Sequence, residues 1–178
     1  MTPSLAVRPL SLSDIPALTR VLQDNRQALA GSGPLRSDEH YTEAGQREAV
    51  AALLASGTSH PMLIVGRDTG EILGSLNLNS IIRGAFQSAS VGYWVAEHAR
   101  GQGVASWAVS EGKRIAFAEL GLHRLQGETL VHNVASRRVL TKNGFVLYGL
   151  APDYLRIAGR WQEHALYQVI CPAVPPDR

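Results

Sequence analysis

Stretches of alternating apolar and polar positions give way to stretches of helical period along this chain, and the changes mark its elements. Residues 5–10 read as a first strand. Ser13 and Asp14 then offer a helix N-cap and a first-turn carboxylate, with Pro16 tolerated that early, and the helix should run to about Asp24. Residues 31–34, Gly-Ser-Gly-Pro, form a loop. Thr42 caps a second helix that continues to Ala55, where Ser56 and Gly57 close it. Residues 62–65 and 71–80 read as paired strands joined by the turn Arg67-Asp68-Thr69-Gly70. Arg83-Gly84-Ala85 turns into Ser90-Val91-Gly92-Tyr93-Trp94-Val95, a run of aromatic and β-branched residues suited to a strand. Over 104–120 the period becomes helical, with Val104, Ala108, Ile115 and Ala118 on one face and Glu111, Lys113, Arg114 and Glu119 outside. A strand over 124–131 and a helix over 134–142 follow, with Gly144 after the helix end. Strands at 145–150 and 161–170 close the chain on either side of a segment 151–160. The order β-α-α-β-β-β-α-β-α-β-β predicts an α+β (mixed α/β) fold, with about seven strands and helices on the faces of the sheet.

Composition narrows the setting. A length of 178 residues suits one domain, expected over 1–172 with a short Pro-rich tail at 173–178. Hydrophobic residues at 45% against 18% charged describe a globular chain rather than a disordered one. The net charge is only +2 and no Lys/Arg run stands out, so no nucleic-acid partner is expected. A single cysteine, Cys171, excludes an internal disulfide and fits a reducing compartment. The first residues lack a signal-type segment and no apolar run approaches membrane length, so a cytoplasmic protein without a membrane partner is expected. His123, His132 and His164 have no metal-ligand spacing, and no metal site is expected.

Arg100-Gly101-Gln102-Gly103-Val104-Ala105 stands between the 90–95 strand and the 104–120 helix. A strand–loop–helix of this kind aims free backbone N–H groups, and about +0.5 of a charge, at whatever lies above the helix. A phosphate is the natural guest. Two named cradles fail on specifics. The loop lacks the Gly-Lys-Ser/Thr end of a P-loop. It also has Ser106 where a dinucleotide fingerprint has its third glycine, and Glu119, at about the right distance for a ribose acid, still lies in the helix.

Arg100-x-x-Gly103-x-Ala105 resembles the Gln/Arg-x-x-Gly-x-Gly/Ala signature of the GNAT N-acetyltransferase superfamily. Gly121-Leu122-His123-Arg124, Asn133-x-x-Ser136-x-x-Val139-Leu140, Asn143-Gly144-Phe145 and Gly159-Arg160-Trp161-Gln162-Glu163-His164-Ala165-Leu166-Tyr167 resemble its RimJ/RimL-type branch, as does the opening Val7-Arg8-Pro9-Leu10 with Ser13-Asp14. The resemblance implies a mostly antiparallel central sheet whose fourth and fifth strands splay apart around the pantetheine arm of acetyl-CoA. It implies acetyl transfer to a primary amine, with a protein N-terminal α-amine as the leading acceptor. A small-molecule amine, such as an antibiotic or polyamine, and a non-catalytic acyl-CoA-binding domain remain alternatives. Dimers are common in that family, so a homodimer is among its implications. The acceptor would be chosen by 23–40, 79–87 and 151–160, where the likeness is weakest.

The same resemblance distributes roles. Arg100, Gly101, Gln102, Gly103, Val104, Ala105 and Ser106 would hold the pyrophosphate through backbone N–H groups. The backbone of Tyr93, Trp94 and Val95 would pair with pantetheine amides as an added strand does, while the side chains can pack in the core. Asn133 would contact pantetheine and could equally cap the helix that follows it. Ser136 would lie near the CoA sulfur or diphosphate. Arg137 and Arg138 could meet the 3′-phosphate or stand as solvated helix charges.

Acetyl transfer needs a neutral amine, a polarised thioester carbonyl and a stabilised thiolate. The carbonyl donor would be a backbone N–H near Val95. The tyrosine that many relatives use for the thiolate is here Leu140, which leaves Ser136 as the substitute. Glu128 is the candidate base. Gln126 and Ser90 stand where close relatives often carry Glu, and Leu155 where ribosomal-protein enzymes can carry a carboxylate; Asp153 is the nearest acid there.

Overall fold

A computed structural model describes residues 4–172. The expected tail at 173–178 lies outside them. Seven strands, β1 Leu5–Pro9, β2 His60–Gly66, β3 Ile72–Ile82, β4 Ser88–Val95, β5 Arg124–Leu130, β6 Val146–Ile157 and β7 Arg160–Ile170, form one sheet in the order β1-β2-β3-β4-β5-β7-β6. All neighbours are antiparallel except β4 and β5. The helices are α1 Ile15–Asp24, the short α2 Arg26–Leu29, α3 Glu43–Ala55, α4 Val104–Arg114 and α5 Val134–Lys142.

Each face of the sheet has its own core, because strand side chains alternate between faces. Met62 and Ile64 of β2 join Leu76, Leu78, Ala89 and Val91 beneath Val104, Ala108 and Val109 of α4. Leu63 and Val65 turn the other way and meet Ile15, Leu18 and Leu22 of α1 and Val50 of α3. A strand buried on both faces reads as an unbroken apolar run, as Met62-Leu63-Ile64-Val65 does.

The structure revises several local expectations. Ser13 does not cap α1; its hydroxyl bonds to that of Ser11 at 2.7 Å. Asp14 does the work of the entry turn. Its carboxylate accepts from the Ser11 N–H at 2.9 Å, the Ser11 hydroxyl at 2.8 Å and the Arg8 guanidinium at 2.6 and 2.9 Å. The Arg8 bonds lead in holding Asp14 down to a pKa of about 2. Thr42 does cap α3, accepting from the Gly45 N–H at 3.1 Å. The 104–120 helix is α only to Arg114, and a π turn covers Ile115–Glu119. The extra residue in that turn rotates the chain beyond it, so Ala116 is buried and Ala118 exposed. Strand β6 runs through most of the predicted connection at 151–160, its ladder interrupted between Ala151 and Leu155, where Asp153 takes a φ of +48°.

One irregularity positions the site. β4 and β5 pair only at Ser88–Arg124, Ala89–Leu125 and Ser90–Gln126. Beyond Ser90, β4 stays on β3 as far as Val95, and beyond Gln126, β5 stays on β7 as far as Leu130. The two strands therefore part inside the sheet and leave facing backbone without a strand partner.

Candidate active site

A cleft of about 1380 Å³ passes through the sheet where β4 and β5 part. On the α4/α5 side it meets residues 103–106, Asn133 and Ser136; on the α1/α3 side it meets Asn77, Asn79, Ser90, Glu128 and His164.

The α4 side presents first-turn backbone N–H groups without a side-chain cap. Gly101 and Gly103 take φ of +74° and +81°, and Gly103, as N-cap of α4, supplies no side-chain oxygen to the first-turn N–H groups. A Cβ at either glycine would meet nothing within 4 Å, so the glycines serve the backbone turn and leave open space above it. The Arg100 side chain points elsewhere: Nε donates to Val95 O at 3.2 Å and Nη2 to Ala28 O at 3.3 Å. Asn143 locks the cradle from behind. Its Nδ2 donates to Ser106 O at 3.0 Å on α4 and to Val139 O at 2.9 Å on α5.

Across the cleft, Asn133 caps α5 with Oδ1 accepting from the Ser136 N–H at 3.0 Å. The Ser136 hydroxyl lies 2.9 Å from the phenol oxygen of Tyr93, which reaches over from β4. Trp94 turns to the opposite face and packs on the α1 core.

On the α1/α3 side the carboxyl of Glu128 is largely buried and accepts from the Ser90 hydroxyl at 3.0 Å across the mouth of the splay. Burial raises its pKa against the opposing pull of Ser90 and of nearby His164. His164 is 3% exposed, and its Nδ1 lies 2.8 Å from Gln162 O. A carbonyl only accepts, so Nδ1 carries a hydrogen and donates it to Gln162 O. Tyr154 stands 5.6 Å from the His164 ring, centroid to centroid, and its pKa is raised by burial first and then by Glu128. The arrangement puts a carboxylate that can take a proton on one side of the sheet and two hydroxyls with an uncapped helix on the other.

Residues 4–146 match the family model described as an acetyltransferase (GNAT) domain. The chain belongs to the GNAT acetyltransferase family. It is 31% identical over 172 residues to the probable N-acetyltransferase YjcK of Bacillus subtilis, covering 95% of each chain. It is 27% identical to the ribosomal protein uS5-alanine N-acetyltransferase of Escherichia coli, over 99% of this chain and 93% of that one. Mycobacterium smegmatis RimJ, solved in complex with CoA-disulfide, superposes with a TM-score of 0.89 at 28% identity, over 96% of this chain and 84% of that one. The chain is thus an N-acetyltransferase with relatives among the RimJ/RimL ribosomal-protein enzymes.

At the departure from the GNAT pattern, Leu140 fills a core position. Leu140 is 1% exposed and closes on Gly127 of β5, where an added Cβ would come within 2.7 Å of Leu140 Cδ2. Leu155 lines the cleft without a charge. Tyr154 and His164 are residues that sequence reasoning missed as site neighbours; the Trp161-to-Tyr167 motif contained His164, and nothing in it told which face the ring would take.

Proposed function

We propose that this GNAT enzyme transfers the acetyl group of acetyl-CoA to a protein N-terminal α-amine by direct attack in a ternary complex. The carrying observation is the single cleft through the splayed strands, with the phosphate cradle on one side and Glu128 on the other. The CoA phosphates would rest on the N–H groups of 103–106, and the pantetheine arm along the unpaired edge at Tyr93–Val95. Val95 O is already held by Arg100, so that edge offers its remaining groups. Glu128 takes the proton of the incoming amine, directly or through one water. An α-amine, with an ordinary pKa near 8, asks less of that base than a lysine near 10.4. Ser136 faces the sulfur that leaves.

Charge favours a protein terminus over a polyamine. Arg26, Arg36, Arg100 and Arg156 line the cleft, Arg26 paired with Asp38 at the exposed rim, against the single lining carboxylate of Glu128. Their field is felt locally, for Arg36 adds to burial in lowering the pKa of His40. A polycation would meet repulsion on this path. The test is calorimetric titration with acetyl-CoA, with NADH and ATP as controls, followed by CoA release with N-terminal peptides and spermidine. Selective binding of acetyl-CoA and turnover of peptides is the expected result. Equal binding of all three nucleotides overturns the reading, and turnover of spermidine alone moves the acceptor to small amines.

A further inference from the structure

The hydroxyl pair across the splay goes unused by the cradle and by the base. Tyr93 leaves β4 just beyond its last pairing with β5, on the face toward α4 and α5. Its phenol oxygen lies 2.9 Å from Ser136 Oγ and 3.4 Å from Ser136 O. The main chain of Ser136 is already fixed, because its N–H is held by Asn133 Oδ1 at 3.0 Å. The Ser136 hydroxyl has no other protein partner among the described residues. A serine hydroxyl has one hydrogen to give and spins freely about its C–O bond unless a neighbour occupies its lone pairs. Tyr93 supplies that neighbour.

We propose that Tyr93 is a positioning residue for the leaving group: its phenol donates to Ser136 Oγ, so that the serine hydrogen points into the cleft at the departing sulfur. The inference rests on the acetyl-transfer reading above. It also fills the gap at Leu140, with a tyrosine reaching the same region from β4 instead of from α5.

The amine nitrogen forms the new N–C bond, the C–S bond breaks, and sulfur leaves with the electron pair. The amine proton passes to Glu128 and then to solvent. The thiolate meets the Ser136 hydrogen as a hydrogen bond and takes its proton from solvent as the product departs. Tyr93 keeps its own proton throughout. Burial raises its pKa above the ordinary 10, so handing the proton to a thiolate, whose ordinary pKa is about 8.5, would run uphill. A chain of two hydroxyls ending on a thiolate gains strength as negative charge develops, which lowers the barrier more than it tightens the ground state.

The test is a double-mutant cycle on the full chain with Tyr93→Phe, Ser136→Ala and both together, measuring kcat, KM for acetyl-CoA and melting temperature. Tyr93→Phe keeps the ring and its packing. Each single change should lower kcat about ten-fold and leave KM for acetyl-CoA within about two-fold. The double variant should be no slower than the worse single one, because both remove the same bond. Wild-type kcat in Tyr93→Phe, or losses that multiply in the double variant, overturns the proposal. A rise in KM with kcat unchanged does so too, since it assigns the pair to binding alone. The proposed function fails separately: wild-type protein that neither binds nor turns over acetyl-CoA removes both, whereas a turning-over enzyme indifferent to Tyr93→Phe removes this inference only.

Discussion

A carboxyl group becomes useful at neutral pH when its surroundings make it a better base than a surface glutamate, and Glu128 has such surroundings. Burial pushes its pKa up, while Ser90 and His164 stop it from going further. As the proposed base, Glu128 must be ionised to work, so the rate should fall as pH drops through a value above the group's ordinary one. Glu128→Gln should lower kcat by about a hundred-fold and abolish that acidic limb, as a pH–rate profile would show. Stability should move the other way. A carboxyl whose folded pKa is raised favours the fold at low pH and loses that contribution as pH rises through the folded value. At pH 8 the Gln variant should therefore melt no lower than wild type. Glu128 was visible in the sequence as a candidate, but its partner was not. Ser90 and Glu128 lie 38 residues apart and meet only because β4 and β5 run parallel there.

Elements were more legible than contacts. The loop before α4 was readable because its requirement is local: a helix start with two left-handed backbone positions needs glycine. Replacing Gly103 by Ala costs about 1 kcal/mol in strain and puts a methyl into the open space over the N–H groups. Affinity for acetyl-CoA should weaken about ten-fold by calorimetry. Gly121→Ala is the control. Gly121 has a φ of +61° with nothing within 4 Å, so its variant should lose similar stability and keep its affinity. Two elements were harder to read. The π turn at Ile115–Glu119 carries no residue signature, and the length of β6 depends on a partner, β7, that follows it in sequence. The start of β6 at 145–150 reads as a strand, but its continuation to Ile157 is mostly exposed and slips in register between Ala151 and Leu155, so alternation does not carry the strand through it.

At the scale of the molecule, a net charge of +2 conceals an uneven distribution. Four arginines line one cleft. Peptide acceptors with Asp or Glu after the N-terminal residue should show lower KM than those with Lys, and the gap should narrow between about 50 and 500 mM salt as screening shortens the field. Equal KM at low salt would assign the arginines to CoA alone. Among the described residues no helix is long and apolar enough to cross a membrane.

By itself the sequence determined the order of the strands and principal helices, the capped start of α3, the glycine loop at α4 and the family. Each rests on residues adjacent in the chain, where period, capping and permitted φ operate. The tertiary structure decided the rest. The residues at which β4 and β5 part, those that close Leu140 on Gly127, and those that meet as Ser90 with Glu128 and Tyr93 with Ser136 stand 13 or more positions apart. Those pairs exist only once seven strands have fixed their register, because register decides which face each side chain takes and what stands across from it.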